Sequence, residues 1–584
     1  MNNDWNLDNI YKGVNSTEFK ADTEKYKKAV DDFNNWCKDN LATTDNAQHK
    51  LEKYIELKNN VMSYDKLIMY ANLAQTTDTT NSEIGKAIDV LESIDSETSY
   101  QNTAIVDFVK NISNLEQLID NSPLLKEHSF YLRTVKAKGS HTLSSAEEAV
   151  ISKMKNTGSL LWEKQWNQLS STLMVEYNNE EIPLSQVRNL AYDKSLEVRK
   201  SAYEAELKAY SKIEQPVAFC MNGIKGEVIT LSNIRGYKSP LDMTLIESRI
   251  DSDILEAMFG AVKESLDKLQ NYFIIKARAL GKKSALPFYD LFAPVVNSHK
   301  EYTVDEAKEF VLKCFYGFSE DLGNFAKSAF ENRWLDIMPK KGKVGGAYCE
   351  TIHSIGESRI LLNFGGAFDD VITMAHELGH AFHNTRLFHL SEINSFYPMP
   401  IAETASTFCE SIVVNEALKS ASENEKINIL ENDIMGLTQC IVDIYSRFLF
   451  EDSVFEHRKN GTLSVDELNN LMLSAQKTAY GKGLDEKYLH KYMWVCKPHY
   501  YDGEFNYYNF PYAFGALLSK GLYSLYKKRG KDFLPLYDKF LSASSTMPLS
   551  DVAKIAGIDL YSKEFWLTGI NQIIYEIDQL DKMV

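Results

Sequence analysis

Asp369-Asp370-Val371-Ile372-Thr373-Met374-Ala375-His376-Glu377-Leu378-Gly379-His380-Ala381-Phe382-His383 reads as one helix. Acidic residues stand at its start, where a helix N-terminus favours negative charge. His376 and His380 are four apart, so both imidazoles leave one face and can bind one tetrahedral zinc ion. Glu377 lies beside them, placed to take a proton from water at the metal rather than to bind it. Two histidines and a glutamate also suit a plain solvated helix face, so the context has to decide.

That context extends in both directions. Upstream, Val344-Gly345-Gly346-Ala347-Tyr348 reads as a flexible Gly-rich loop. Ser358-Arg359-Ile360-Leu361-Leu362-Asn363-Phe364 follows as a short apolar strand closed by Gly365-Gly366. Downstream, Pro398 and Pro400 precede a helical pattern in which Glu403 and Glu410 stand seven apart, about two turns, on one side. A zinc site of this kind needs a third protein ligand and an open fourth position. Glu403 is the expected third ligand. Glu410 suits a hydrogen bond to a ligating imidazole that fixes its tautomer.

The rest of the chain reads as helix. Only one of thirteen prolines, Pro123, precedes Pro183, and that tract holds four glycines, so long helices are expected there. Residues 16–36 and 48–74 carry apolar residues at helical spacing. Asp253 with Glu256, and Thr303 with Glu306, are capping signatures, and Gly281 is a plausible helix stop. The predicted class is mainly α, with a small sheet near 344–364. At 584 residues more than one lobe is expected.

Composition narrows the function. A net charge of −17 argues against nucleic-acid and membrane-surface roles. Seven scattered cysteines with no C-x-x-C pair speak against a disulfide framework and for a reducing compartment. The opening lacks the basic-then-apolar pattern of a signal peptide, and no apolar stretch reaches membrane-span length. The expected location is cytoplasmic.

With these residues in view, the sequence resembles the oligoendopeptidase F family of thimet-oligopeptidase-like zinc metallopeptidases. The resemblance rests on His376 to His380, Glu403-Thr404-Ala405-Ser406-Thr407-Phe408 with Glu410, and the opening Asp4 to Tyr11. It rests also on Gly346-Ala347-Tyr348, Leu361-Leu362-Asn363, and the segment from His499 through Tyr508 and Tyr512 to Gly515. It implies a two-lobed helical shell around a deep channel that admits short peptides, with residues 1–190 as an N-terminal lobe and 191–584 as the catalytic domain. It implies one Zn²⁺ per chain on His376, His380 and Glu403, with Glu377 catalytic. His499 and Tyr508 are the implied oxyanion-stabilising groups. Tyr512, Gly346, Ala347, Tyr348, Ile360 and Leu361 are implied to bind substrate, with 358–364 as an edge strand to which an extended peptide adds. His499 to Tyr512 is longer than in some relatives around Asp502-Gly503-Glu504, which loosens the pairing of His499.

Twenty-two residues separate His380 from Glu403, more than in thermolysin-like enzymes, and the Gly-x-Met-Glu-Asn marker of zinc aminopeptidases is absent. The expected activity is endopeptidase cleavage of short peptides. The alternatives are a metallocarboxypeptidase and a non-catalytic peptide-binding scaffold with a retained zinc site. Lys340-Lys341-Gly342-Lys343 reads as a solvated loop, and His383 as a channel-wall residue.

Overall fold

The computed structural model describes residues 3–296 and 300–584. Twenty-eight α-helices and five short strands are described, as the scarcity of helix breakers predicts. The helix expected over 48–74 is two, Ala47–Met62 and Asp65–Thr77, broken at Ser63 and Tyr64. Thr303 and Glu306 form the expected capping box. The long helix Ser252–Ala279 is capped by Asp251, whose side chain accepts from the Ile254 N–H, rather than by Asp253.

Apolar packing forms two main cores. The smaller runs from Tyr11 to Val135 and takes in Ile393; the larger runs from Trp166 to Leu580. Trp166, Leu173, Val175 and Val187 belong to the larger core. The change of core therefore falls between Val135 and Trp166. Strands β1 (Met174–Tyr177) and β2 (Glu180–Pro183) form a hairpin. Its two central residues, Asn178 and Asn179, adopt φ of 52° and 64°, the turn that matches strand twist.

The second sheet holds β3 (Leu335–Asp336), β4 (Tyr348–Ile352) and β5 (Glu357–Leu361) in the order β3-β5-β4. This corrects the expectation for 358–364. β5 is the central strand, parallel to β3 and antiparallel to β4, and Leu362 and Phe364 continue bonding to Asp336 and Ile337. Among the described residues the outer edge of β4 has no strand partner. Ile360 and Leu361 are fully buried, so their side chains are core, not substrate contacts. The chain's opening lies on this sheet: Asn6 N–H donates to the Arg333 carbonyl, the Arg359 guanidinium donates to the Asn6 carbonyl, and Trp5 packs with Leu361.

Candidate metal and catalytic site

The quoted stretch forms the helix Phe368–Thr385, here the motif helix. Asp370 closes its first turn by accepting from the Gly365 and Ala367 N–H groups, each at 2.9 Å. Val371, Met374, Ala375, Leu378, Ala381 and Phe382 are buried, at the spacing that fixes one helix face to the core. His376 and His380 keep partial exposure on another face.

The second helix is Thr404–Ser420, entered through a turn at Met399–Ala402, with Glu403 at the junction. Gly379 decides how close the two helices come. A Cβ on Gly379 would lie 2.7 Å from both the Ala405 carbonyl oxygen and Ser406 Cα, so only glycine permits this approach. Gly515 does the same from the other side, its missing Cβ facing Glu403 Cβ at 3.1 Å. Glu403 is thus wedged between the motif helix and the helix Phe510–Arg529.

Three ligand atoms converge there. His376 Nε2 is 3.1 Å from His380 Nε2; Glu403 Oε2 is 3.2 Å from the first and 3.4 Å from the second. The edge of a tetrahedron with metal–ligand bonds of 2.0–2.1 Å is about 3.3 Å, so the triangle fits one tetrahedral ion with a fourth position open. Among the described residues, these three are the one such set of His, Cys, Asp or Glu. Ser406 Oγ donates to Glu403 Oε2 at 3.0 Å, and Glu410 Oε1 holds His376 Nδ1 at 2.5 Å. That bond reserves Nε2 for a metal.

The carboxylates of Glu403 and Glu410 favour positive charge in this cluster. Burial disfavours charge on His376, but Glu403 and Glu410 outweigh it and hold the imidazole up at about 10. Burial also opposes charge on Glu403, yet the two imidazoles pull it well below the usual carboxylate range. Glu377 is buried, and burial raises its carboxyl despite both neighbouring histidines.

The aromatic C-terminal residues come together. His499 stacks on Tyr508 with centroids 5.7 Å apart, and Tyr512 meets both rings edge-on at 5.9 Å. Tyr512 lines a cavity of about 440 Å³ with His376, Glu403 and Glu410. His499 and Tyr508 line an adjacent one of about 430 Å³. Tyr508 precedes the helix Phe510–Arg529, so it shares no helical face with Tyr512. Burial, then repulsion from Arg447 and Lys497, lowers His499 to about 4, leaving it neutral at pH 7. Burial raises the Tyr512 hydroxyl.

The turn bearing Tyr508 is held from beneath by residues the sequence reading missed. Fully buried Lys225 donates to Glu451 Oε1 at 2.7 Å and to Asn506 Oδ1 at 2.9 Å. Asn509 donates to the other Glu451 oxygen, and Tyr507, at φ 53°, donates to Asp452. A lysine among the apolar residues Met221, Ile224 and Val228 of the helix Glu214–Ile234 was the available signal.

The remaining expected residues separate. Gly346 has φ 81°, and its loop is anchored, not flexible: Asn363 Nδ2 donates to the Val344 and Gly346 carbonyls, and Val344 N–H donates to the Thr76 carbonyl. Ala347 is half-buried beside it. Tyr348 shares its hydroxyl hydrogen bond with Thr76 at 2.6 Å, so that group is committed to the helix Asp65–Thr77. β4 lies along the motif helix, with Asn384 bonded to Thr351. Lys343 is buried on Asp336 at 2.7 Å rather than solvated. His383 is buried, stacked on Tyr397 and bonded to Ser544.

Comparison with known proteins agrees with this geometry. The profile described as Peptidase family M3 matches residues 189–572, and one described as Oligopeptidase F matches 111–174. Oligopeptidase PepF of Bacillus subtilis is 25% identical over 99% of this chain and 87% of its own. A solved chain from Chlamydophila abortus, described as a candidate peptidase, superposes with a TM-score of 0.86 at 21% identity, covering 100% and 98% of the two chains. Oligoendopeptidase-F from Enterococcus faecium does so with 0.71 at 19% identity over 96% and 98%.

Proposed function

The chain belongs to peptidase family M3, and from that premise we propose that it is a zinc endopeptidase cleaving short oligopeptides with His376, His380 and Glu403 as ligands. The supporting observation is the triangle of three ligand atoms at 3.1–3.4 Å, with Glu410 fixing one imidazole. When bound, a divalent ion supplies Lewis-acid polarisation of the scissile carbonyl and makes water acidic enough to attack at neutral pH. Glu377 accepts the proton of the attacking water and delivers it to the departing amine; its raised carboxyl suits both halves of that transfer. Tyr508, Tyr512 and neutral His499 donate hydrogen bonds where the carbonyl oxygen gains charge. The free edge of β4, beside the motif helix, pairs with the peptide backbone and so accepts many sequences. Among the described residues no helix is long and apolar enough to cross a membrane. The seven free cysteines favour a cytoplasmic setting.

Blocked-end peptides of graded length test this reading. Mass spectrometry is expected to find internal cuts up to a size limit. Trimming only from a free C-terminus would overturn it in favour of a carboxypeptidase.

A further inference from the structure

A cavity of about 430 Å³ lies beside His499. Its walls include Glu163, Trp166, Met399, Asp502, Phe505 and Tyr508. The cavity at the triangle mixes apolar residues such as Ile372, Val414 and Leu437 with the carboxylates of Asp369, Glu403, Glu410 and Asp433.

Three of the walls are hydrophobic. Trp166 stacks on Tyr501, centroids 4.8 Å apart, and its Nε1 donates to the Val495 carbonyl, which fixes the ring in the cavity wall. Met399 stands four residues before Glu403. Phe505 is 56% exposed although its ring adjoins Tyr508 at 6.0 Å. A large aromatic ring half in solvent, on the turn that carries Tyr508, is unexplained by folding alone.

The polar walls are negative. Asp502 spends Oδ1 on the Glu504 and Phe505 N–H groups, at 2.6 and 2.9 Å. Among the described residues neither Glu163 nor Asp502 has a cation at ion-pair distance, whereas Glu504 takes Lys155 at 2.8 Å. Lys164 acts on Glu163 only from beyond that distance. Burial, then the charges of Asp502 and Glu504, push the Glu163 carboxyl upward, a cost that an incoming cation removes.

Apolar walls ending in unpaired carboxylates match a long aliphatic stem with a positive end. We propose that this cavity is a subsite for a basic residue of the substrate, arginine or lysine, its stem on Trp166, Met399 and Phe505 and its cation between Glu163 and Asp502. The assignment rests on the peptidase reading above and adds a substrate class to it. The site then prefers peptides with a basic residue at one fixed distance from the scissile bond.

The test walks a single arginine through a blocked-end leucine peptide, position by position around the cut. One position is expected to raise kcat/KM about tenfold over the leucine parent, from two partly screened charge contacts. The double variant Glu163→Gln, Asp502→Asn should bring that ratio close to one. The amide introduced by Asp502→Asn keeps an Oδ1 acceptor for the turn, so the loss reports charge. Glu163→Lys should invert the preference towards glutamate at that position. Arginine preference is read independently of turnover as peptide affinity of the Glu377→Gln variant by calorimetry. Absence of any turnover with arginine-selective binding would overturn the peptidase reading and support the subsite. Equal affinity for arginine and leucine peptides at every position, or a preference untouched by the double variant, would overturn the subsite.

Discussion

Replacing Gly379 by alanine tests whether helix packing, rather than the motif alone, builds the ligand triangle. The new Cβ would sit 2.7 Å from the Ala405 carbonyl oxygen and from Ser406 Cα, where carbon contacts rest at about 3.5–4.0 Å. Both atoms are backbone, so no side chain can swing aside. The helices must part by about 0.8–1 Å, at an overpacking cost of roughly 1–3 kcal/mol. Glu403 stands two residues before Ala405 and moves with it. Its 3.2 and 3.4 Å separations from the imidazoles then open to about 4 Å, beyond the tetrahedral edge of about 3.3 Å. Zinc affinity should fall about 10–100-fold, the scale on which disturbing a ligand's support acts. Competition with a chromophoric chelator measures it, with melting of the metal-free variant recorded alongside. Gly85→Ala is the control: a Cβ there meets nothing within 4 Å, and metal affinity should stay unchanged. A Gly379→Ala protein that binds zinc as tightly as the parent would refute the reasoning.

Three further outcomes follow from the same geometry. Lys225→Met strands the Glu451 carboxylate in the interior and should cost about 3–5 kcal/mol in denaturant melts; adding Glu451→Leu should recover much of it. His383 is held at about 3, below its ordinary 6.5, chiefly by burial. The unfolded chain therefore takes up a proton that the folded chain refuses. This stabilisation is complete above pH 6.5 and lost as pH falls towards 3, by roughly 2 kcal/mol between pH 6.5 and 5. His383→Gln should flatten that part of the stability profile. Tyr512→Phe should lower kcat by about 10²-fold with KM little changed, as loss of one oxyanion donor does; an equal rise in KM would assign it to binding instead.

The motif helix, its acidic start, and the Glu403–Glu410 spacing were legible because each is local, set by a period of 3.6 residues. The Thr303 capping box and the Gly281 stop were legible for the same reason. Strand order was not. An apolar run such as 358–364 looks alike at an edge or in the centre of a sheet, and the pairing of β3 with β5 is settled by residues more than twenty positions apart. The same distance hid Lys225, whose partners Glu451 and Asn506 lie in other segments. Asp502-Gly503-Glu504 read as an insertion that loosened the alignment of His499. In the fold its Asp502 lines a cavity, with Gly503 packed against Ser159. The hairpin at 174–183 carried a usable signal in Asn178-Asn179 that went unread.

The central claim is that Glu377 moves protons while His376, His380 and Glu403 hold the metal. Glu377→Gln keeps the size and buried position of the side chain but cannot accept a proton. Metal content and peptide cleavage measured on one preparation of that variant test the claim directly. The account predicts one zinc per chain and no detectable turnover. Turnover near the parent rate with zinc bound would contradict it.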